Sequence, residues 1–189
     1  MINTAGGGTL NASGQFNAIN NVVVTAGGDG GSTLDLSRTN GLTGITVQNG
    51  TDDLTLSNVN NLVPLNILSN SGSVTVDFTD QTVTNQNPVV VNINGLSNGG
   101  TPVILDIGGT SAGSGFNAIV INSNGSASNI HQLTTSNDND QRNLVINGNA
   151  DVTIDNVNSS SIVSVNMGGS SGNNTINIAK ANGNTSVQG

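Results

Sequence analysis

The chain has 189 residues, a net charge of −8 and only three basic side chains, Arg38, Arg142 and Lys180. All eleven acids are Asp, Cys, Trp and Tyr are absent, and 26 residues are Gly. This balance excludes a phosphate-binding nucleic-acid surface and a disulfide framework. It also disfavours long helices, because Glu, Lys and Met are scarce.

Short apolar runs follow one another every ten to fourteen residues or so. They are Asn21–Thr25, Thr33–Leu36, Gly44–Val47, Leu54–Leu56, Leu65–Leu68 and Val74–Phe78. Val89–Ile93, Val103–Ile107, Ala118–Ile121, Leu144–Ile146, Val152–Ile154, Ile162–Met167 and Thr175–Ile178 continue the series. Most alternate apolar with polar, which is the period of a half-buried strand. Between them lie Asn-Gly, Gly-Gly and Ser-Gly clusters suited to turns. Pro64, Pro88 and Pro102 each precede a strand candidate, where a missing N–H costs least. No run approaches the roughly 18 apolar residues of a membrane helix. The N-terminal residues lack the basic and apolar regions of a signal peptide, so the chain reads as a piece of a longer protein.

Landmarks recur about one hundred residues apart. Phe16-Asn17-Ala18-Ile19 returns as Phe116-Asn117-Ala118-Ile119, and Asp53-Leu54-Thr55-Leu56 returns as Asp151-Val152-Thr153-Ile154. Leu65-Asn66-Ile67 returns as Val165-Asn166-Met167, and Ser71-Gly72 as Ser171-Gly172. The reading is a first β-repeat module over 1–111, continued by a truncated second one over 112–189. Repetition points to modular architecture and away from an enzyme.

Two all-β architectures fit: a parallel β-solenoid, and two tandem Ig-like sandwiches of about 100 residues. The sandwich asks for a large aromatic core, and three Phe cannot supply one. A solenoid has a narrow core of Val, Ile and Leu, and uses Asn where side-chain amides stack from coil to coil. Asn66, Asn92, Asn166 and Asn177 suit that use, so the solenoid is the expected fold.

The run Asn143-Leu144-Val145-Ile146-Asn147-Gly148-Asn149-Ala150-Asp151-Val152-Thr153-Ile154, followed by Ser161-Ile162-Val163-Ser164-Val165-Asn166, resembles a known family. It is similar to the bacterial surface-layer lattice proteins exported by type I secretion, relatives of the calcium-binding repeat-in-toxin proteins. The resemblance implies a secreted lattice domain at the cell surface in which calcium promotes order and self-assembly. A cell-surface glycan would be a partner through regions outside this chain; nucleic acid and membrane insertion are not expected. The family's calcium nonapeptide has its nearest match at Gly27-Gly28-Asp29-Gly30-Gly31-Ser32-Thr33-Leu34, but Ser32 stands where a ligand Asp belongs.

Calcium takes six to eight oxygens, and Asp in flexible turns supplies them. The candidate ligands are Asp52 with Asp53, Asp138 with Asp140, and Asp29 with Asp35; Asp77 and Asp80 come next. The competing reading is that Asp at a turn caps backbone N–H groups. Asp53 and Asp151 occupy equivalent positions before a strand, which favours that capping role for both. His131 is the only His, so zinc or a His-based triad has no partners. The rival functions are an adhesin stalk and a polysaccharide-active β-helix. An ice-binding solenoid would need aligned Thr-x-Thr rows, and Thr55, Thr75, Thr153 and Thr175 are too sparse for that.

Overall fold

The computed structural model describes residues 2–5, 8–11, 16–17, 20–28, 30–79, 87–97, 103–109, 116–135, 142–178 and 185–189. Their secondary structure is all β, with no helix among the described residues, so none long and apolar enough to cross a membrane.

The strands arrive coil by coil. The first coil carries β1 (Ile2–Ala5), β2 (Gly8–Asn11) and β3 (Phe16–Asn17). The next carries β4 (Asn21–Gly27), β5 (Ser32–Asp35) and β6 (Thr39–Asn40). Three coils with two strands apiece follow: β7 (Gly44–Gln48) with β8 (Leu54–Val59), β9 (Leu65–Leu68) with β10 (Val74–Phe78), and β11 (Val89–Asn94) with β12 (Ile104–Gly109). Then come β13 (Ala118–Ser123), β14 (Ser128–Ile130) and β15 (Gln132–Thr134), and above them β16 (Arg142–Gly148), β17 (Val152–Ile154) and β18 (Val157–Asn158). The series closes with β19 (Ile162–Ser170), β20 (Asn174–Ile176) and β21 (Ser186–Gln188).

Each coil lays one strand on the first sheet, whose order is β1-β4-β7-β9-β11-β13-β16-β19-β21. The second sheet runs β2-β5-β8-β10-β12-β15-β18, and a smaller third one β14-β17-β20. Neighbouring strands are parallel in every sheet. The fold is therefore a parallel β-solenoid. A pair of Ig-like sandwiches is ruled out, because their strands run antiparallel.

Alternation explains the core. In β10 Val74, Val76 and Phe78 are buried while Thr75 and Asp77 face outward. Stacking turns each inward position into a column: Val22, Ile45, Leu65, Val91, Ile121 and Ile146 lie one above another on the first sheet. Leu34, Leu56, Val76 and Ile107 form the facing column on the second. All ten are buried. Burying one such side chain is worth about 1.5–3 kcal/mol against leaving it exposed. β-Branched residues suit the site because like stacks on like at the roughly 4.8 Å strand spacing. Every apolar run read from the sequence lies in or against a strand of this stack. Pro64 and Pro88 sit immediately before β9 and β11. Pro102 lies outside the described residues.

Asn forms a ladder along the outside of the first sheet. Asn66 donates to Thr46 Oγ1 at 3.3 Å, Asn92 to Asn66 Oδ1 at 2.9 Å, Asn122 to Asn92 Oδ1 at 2.9 Å and Asn147 to Asn122 Oδ1 at 3.2 Å. Asn147 pairs in register with Gly169, where a Cβ would strike the Asn147 amide, so the ladder ends on a residue with no side chain.

Candidate functional site

The outer face of the second sheet carries a row of polar side chains. Register places Thr33, Thr55, Thr75, Asp106 and Thr134 in one row, one residue per coil. Beside this row lie Asp35 on β5 and Asp77 on β10. Asp53, Thr55, Ser73, Thr75, Asp106 and Thr134 line a shallow depression of about 410 Å³. Residues two positions along from the threonines are Asp35, Ser57 and Asp77, so the row is Thr-x-Asp or Thr-x-Ser and not paired threonines. Thr153 and Thr175 pair with each other on the third sheet, away from this row.

Asp77 and Asp106 repel each other on this face. Burial pushes the Asp77 carboxyl above the ordinary carboxylate range, and the Asp106 charge on the neighbouring strand pushes it further. Asp35 goes the other way. The Ser37 backbone N–H donates to its Oδ1 at 2.9 Å and Asn58 Nδ2 donates to the same oxygen at 3.0 Å; these bonds hold its pKa below the usual value.

Of the expected calcium ligands, Asp29, Asp138 and Asp140 lie outside the described residues, as does Asp80. Asp35 is committed to Ser37 and Asn58. Asp53 Oδ1 accepts the Ser73 N–H of the next coil at 2.9 Å. Asp151 Oδ1 does the same for the Asn173 N–H at 2.7 Å. Both therefore cap a backbone donor one coil up, as their equivalent sequence positions suggest. Asp52 presents a buried carboxylate oxygen, Oδ2, with no hydrogen-bond donor. No group of three or more His, Cys, Asp or Glu side chains that could hold a metal occurs among the described residues.

The caps explain two of the recurring glycines. A Cβ on Gly72 would collide with the Asp52 carbonyl, and one on Gly172 with the Ala150 carbonyl. Ser71 and Ser171 donate their N–H groups to the Gly50 and Gly148 carbonyls of the coil below, at 2.9 and 2.8 Å. Asp, Ser and Gly thus form one device, in which a chain corner passes directly over a capped corner. Asn70 completes the earlier copy: it is buried, accepts the Gly50 N–H at 2.9 Å and donates to the Gly72 carbonyl at 2.7 Å.

Two polar groups inside the stack carried no sequence signal. Arg142 is fully buried, and its guanidinium lies 3.6 Å from the centroid of the Phe116 ring. Thr135, Ser159 and Ser161 form a buried hydroxyl cluster, with Thr135 3.0 Å from Ser161 and Ser159 2.7 Å from Ser161. A side chain such as Arg142 reads from sequence as a surface charge; only the coil above it encloses it. His131 Nδ1 lies 3.4 Å from Asp155 Oδ2, both about half exposed, a pair at the surface.

The fold and this face define a structural class, a parallel β-solenoid with one acidic, threonine-bearing broad face. Compared with known protein families, curated proteins and solved structures, the chain matches none.

Proposed function

We propose that the chain is a structural segment of a secreted bacterial cell-surface layer, self-assembling into a lattice that calcium promotes. The observation that carries this reading is the placement of Asp35, Asp77 and Asp106 on one broad face of a stiff stack, where burial first and the Asp106 charge second raise the pKa of Asp77. Repulsion present within one subunit grows when acidic faces of neighbours approach. A divalent cation between carboxylates relieves it, and calcium suits oxygen ligands in variable geometry.

Stiffness supports the same role. Parallel backbone ladders, the Asn ladder and the Asp caps all run between coils, so bending the rod strains many bonds together. The partners in this reading are further copies, with a cell-surface glycan engaged by regions outside this chain.

Electron microscopy of the purified chain and its parent, in millimolar calcium and again in chelator, tests the proposal. Ordered sheets or tubes that disappear in chelator are the expected result. Dispersed rods in both conditions overturn the lattice and move the reading to an adhesin stalk.

A further inference from the structure

The charges of this molecule are segregated. Among the described residues Asp35, Asp77 and Asp106 face outward on the second sheet. Arg38, Asp52, Asp53, His131, Asp151 and Asp155 lie at corners and turns between strands. The nine strands of the first sheet contain a single ionisable residue, Arg142, and it is buried. The outward side of that sheet is therefore uncharged in a chain of net charge −8.

That side is also ordered by the fold. Val90, Val120 and Val145 stack in register as an outward valine row, and the Asn66, Asn92 and Asn122 ladder runs beside it. Nine strands at about 4.8 Å, each presenting about five residues at 3.3 Å, give a face of roughly 40 by 17 Å. Pairing two such faces buries on the order of 1,300 Å² in total, within the range of specific interfaces.

We propose that the first-sheet face is a docking surface for a second copy of this chain, paired face to face. The alternatives fit the chemistry less well. The strands of this face contain no Trp or Tyr to stack on a sugar and no outward Lys or Arg to hold phosphate. A second copy matches it in shape, apolar row and amide ladder. It also leaves the acidic second-sheet face of each copy outside the contact. A symmetric pair sets the same patch on itself, so β11, the central strand of the nine, meets its own counterpart. The proposal rests on the self-assembly reading for its setting alone, because pairing through an uncharged face needs no calcium.

The Cys-free chain offers a direct test. V90C, on β11, and T75C, on the acidic face, are each oxidised in chelator and analysed for disulfide-linked dimer. Sedimentation velocity of the unmodified chain and of V90D runs alongside, with circular dichroism to confirm folding. Expected are efficient cross-linking of V90C but not T75C, and a dimer constant weakened more than about tenfold in V90D, because an unpaired charge is desolvated at the contact. A monomer at every concentration that cross-links at neither cysteine overturns the proposal. Equal cross-linking at both positions overturns it as well. Dimers in chelator without sheets in calcium uphold the paired face and refute the lattice; sheets built from T75C-linked subunits do the reverse.

Discussion

The Arg142 guanidinium lies over the Phe116 ring and donates from Nη1 to the Phe116 carbonyl oxygen at 2.6 Å, so one buried cation grips both the side chain and the backbone of the coil below. Burial lowers its pKa to about 10, which leaves it charged at neutral pH. A desolvated cation–π contact is worth about 2 kcal/mol. A double-mutant cycle on R142K and F116L is expected to give a coupling of about 1–2 kcal/mol by denaturant unfolding. A coupling near zero would mean that ring and cation are neighbours without mutual stabilisation.

The same burial fixes an alkaline response. In the unfolded chain Arg142 holds its proton to a higher pH than in the fold, so in the alkaline window above about pH 10 the unfolded state binds more protons. Stability from this group therefore rises across that window and is flat below it. The chain has no Tyr or Cys to add a phenol or thiol titration to this response. R142M should abolish the rise in thermal melts taken through the window.

Asp77 responds at the acid end with the opposite sense. Its pKa is raised by burial first and by Asp106 second, so just above pH 3.8 the folded state binds the proton more tightly than the unfolded state. Its contribution is greatest below that window and is lost as pH climbs through the raised value. D77N is expected to melt higher than the parent at pH 7 and to converge with it near pH 3.8. A lower melting temperature at pH 7 would show that the Asp77 charge is stabilised by something other than its neighbours on the sheet.

The Asn ladder should behave as a chain of modest bonds. Asn122 takes part in two of them, donating to Asn92 and accepting from Asn147. At about 1 kcal/mol net per bond, N122A is expected to cost about 2 kcal/mol. N124A, on an exposed neighbouring residue, should stay within about 0.5 kcal/mol. Equal costs for the two would remove the ladder from the account of stability.

The Asp caps make a paired prediction. D53A and D151A each leave a next-coil N–H without its carboxylate and should each lose about 1–2 kcal/mol. Raising calcium should leave that loss unchanged if capping is their role. A loss that appears only in calcium would reassign Asp53 to metal binding.

Val152 tests the core. It is fully buried on β17, and V152D puts a charge where no partner reaches it. A loss of about 3–5 kcal/mol is expected from chemical denaturation. Parent-like melting would mean that this strand does not face the interior.

Part of this was legible in the sequence for clear reasons. Asn66 and Asn92 sit at outward positions of strands with period-two alternation, and both join the ladder. Asn166 also suits stacking by sequence, yet its register partner is Val145, while Asn147 stands opposite Gly169. Its Oδ1 accepts the Gly168 N–H at 2.9 Å instead. Asn122 and Asn147 hold the places that counting along the chain could not find. The threonine row was hidden for the same reason: Thr33 and Thr134 align with Thr55 and Thr75 only once the coils are stacked.

By itself the sequence determined that the chain is all β, that its strands bury Val, Ile and Leu on one side, and that Asp, Asn and Gly make its corners, because alternation and turn chemistry act within a few residues. The tertiary structure alone decided which residues meet. Stacked partners lie 20 residues apart in one coil and 30 in another, so a coil's length is absorbed at its corners and cannot be read locally. That stacking put Arg142 on Phe116, set Asp35, Asp77 and Asp106 on one face and left the first-sheet face uncharged.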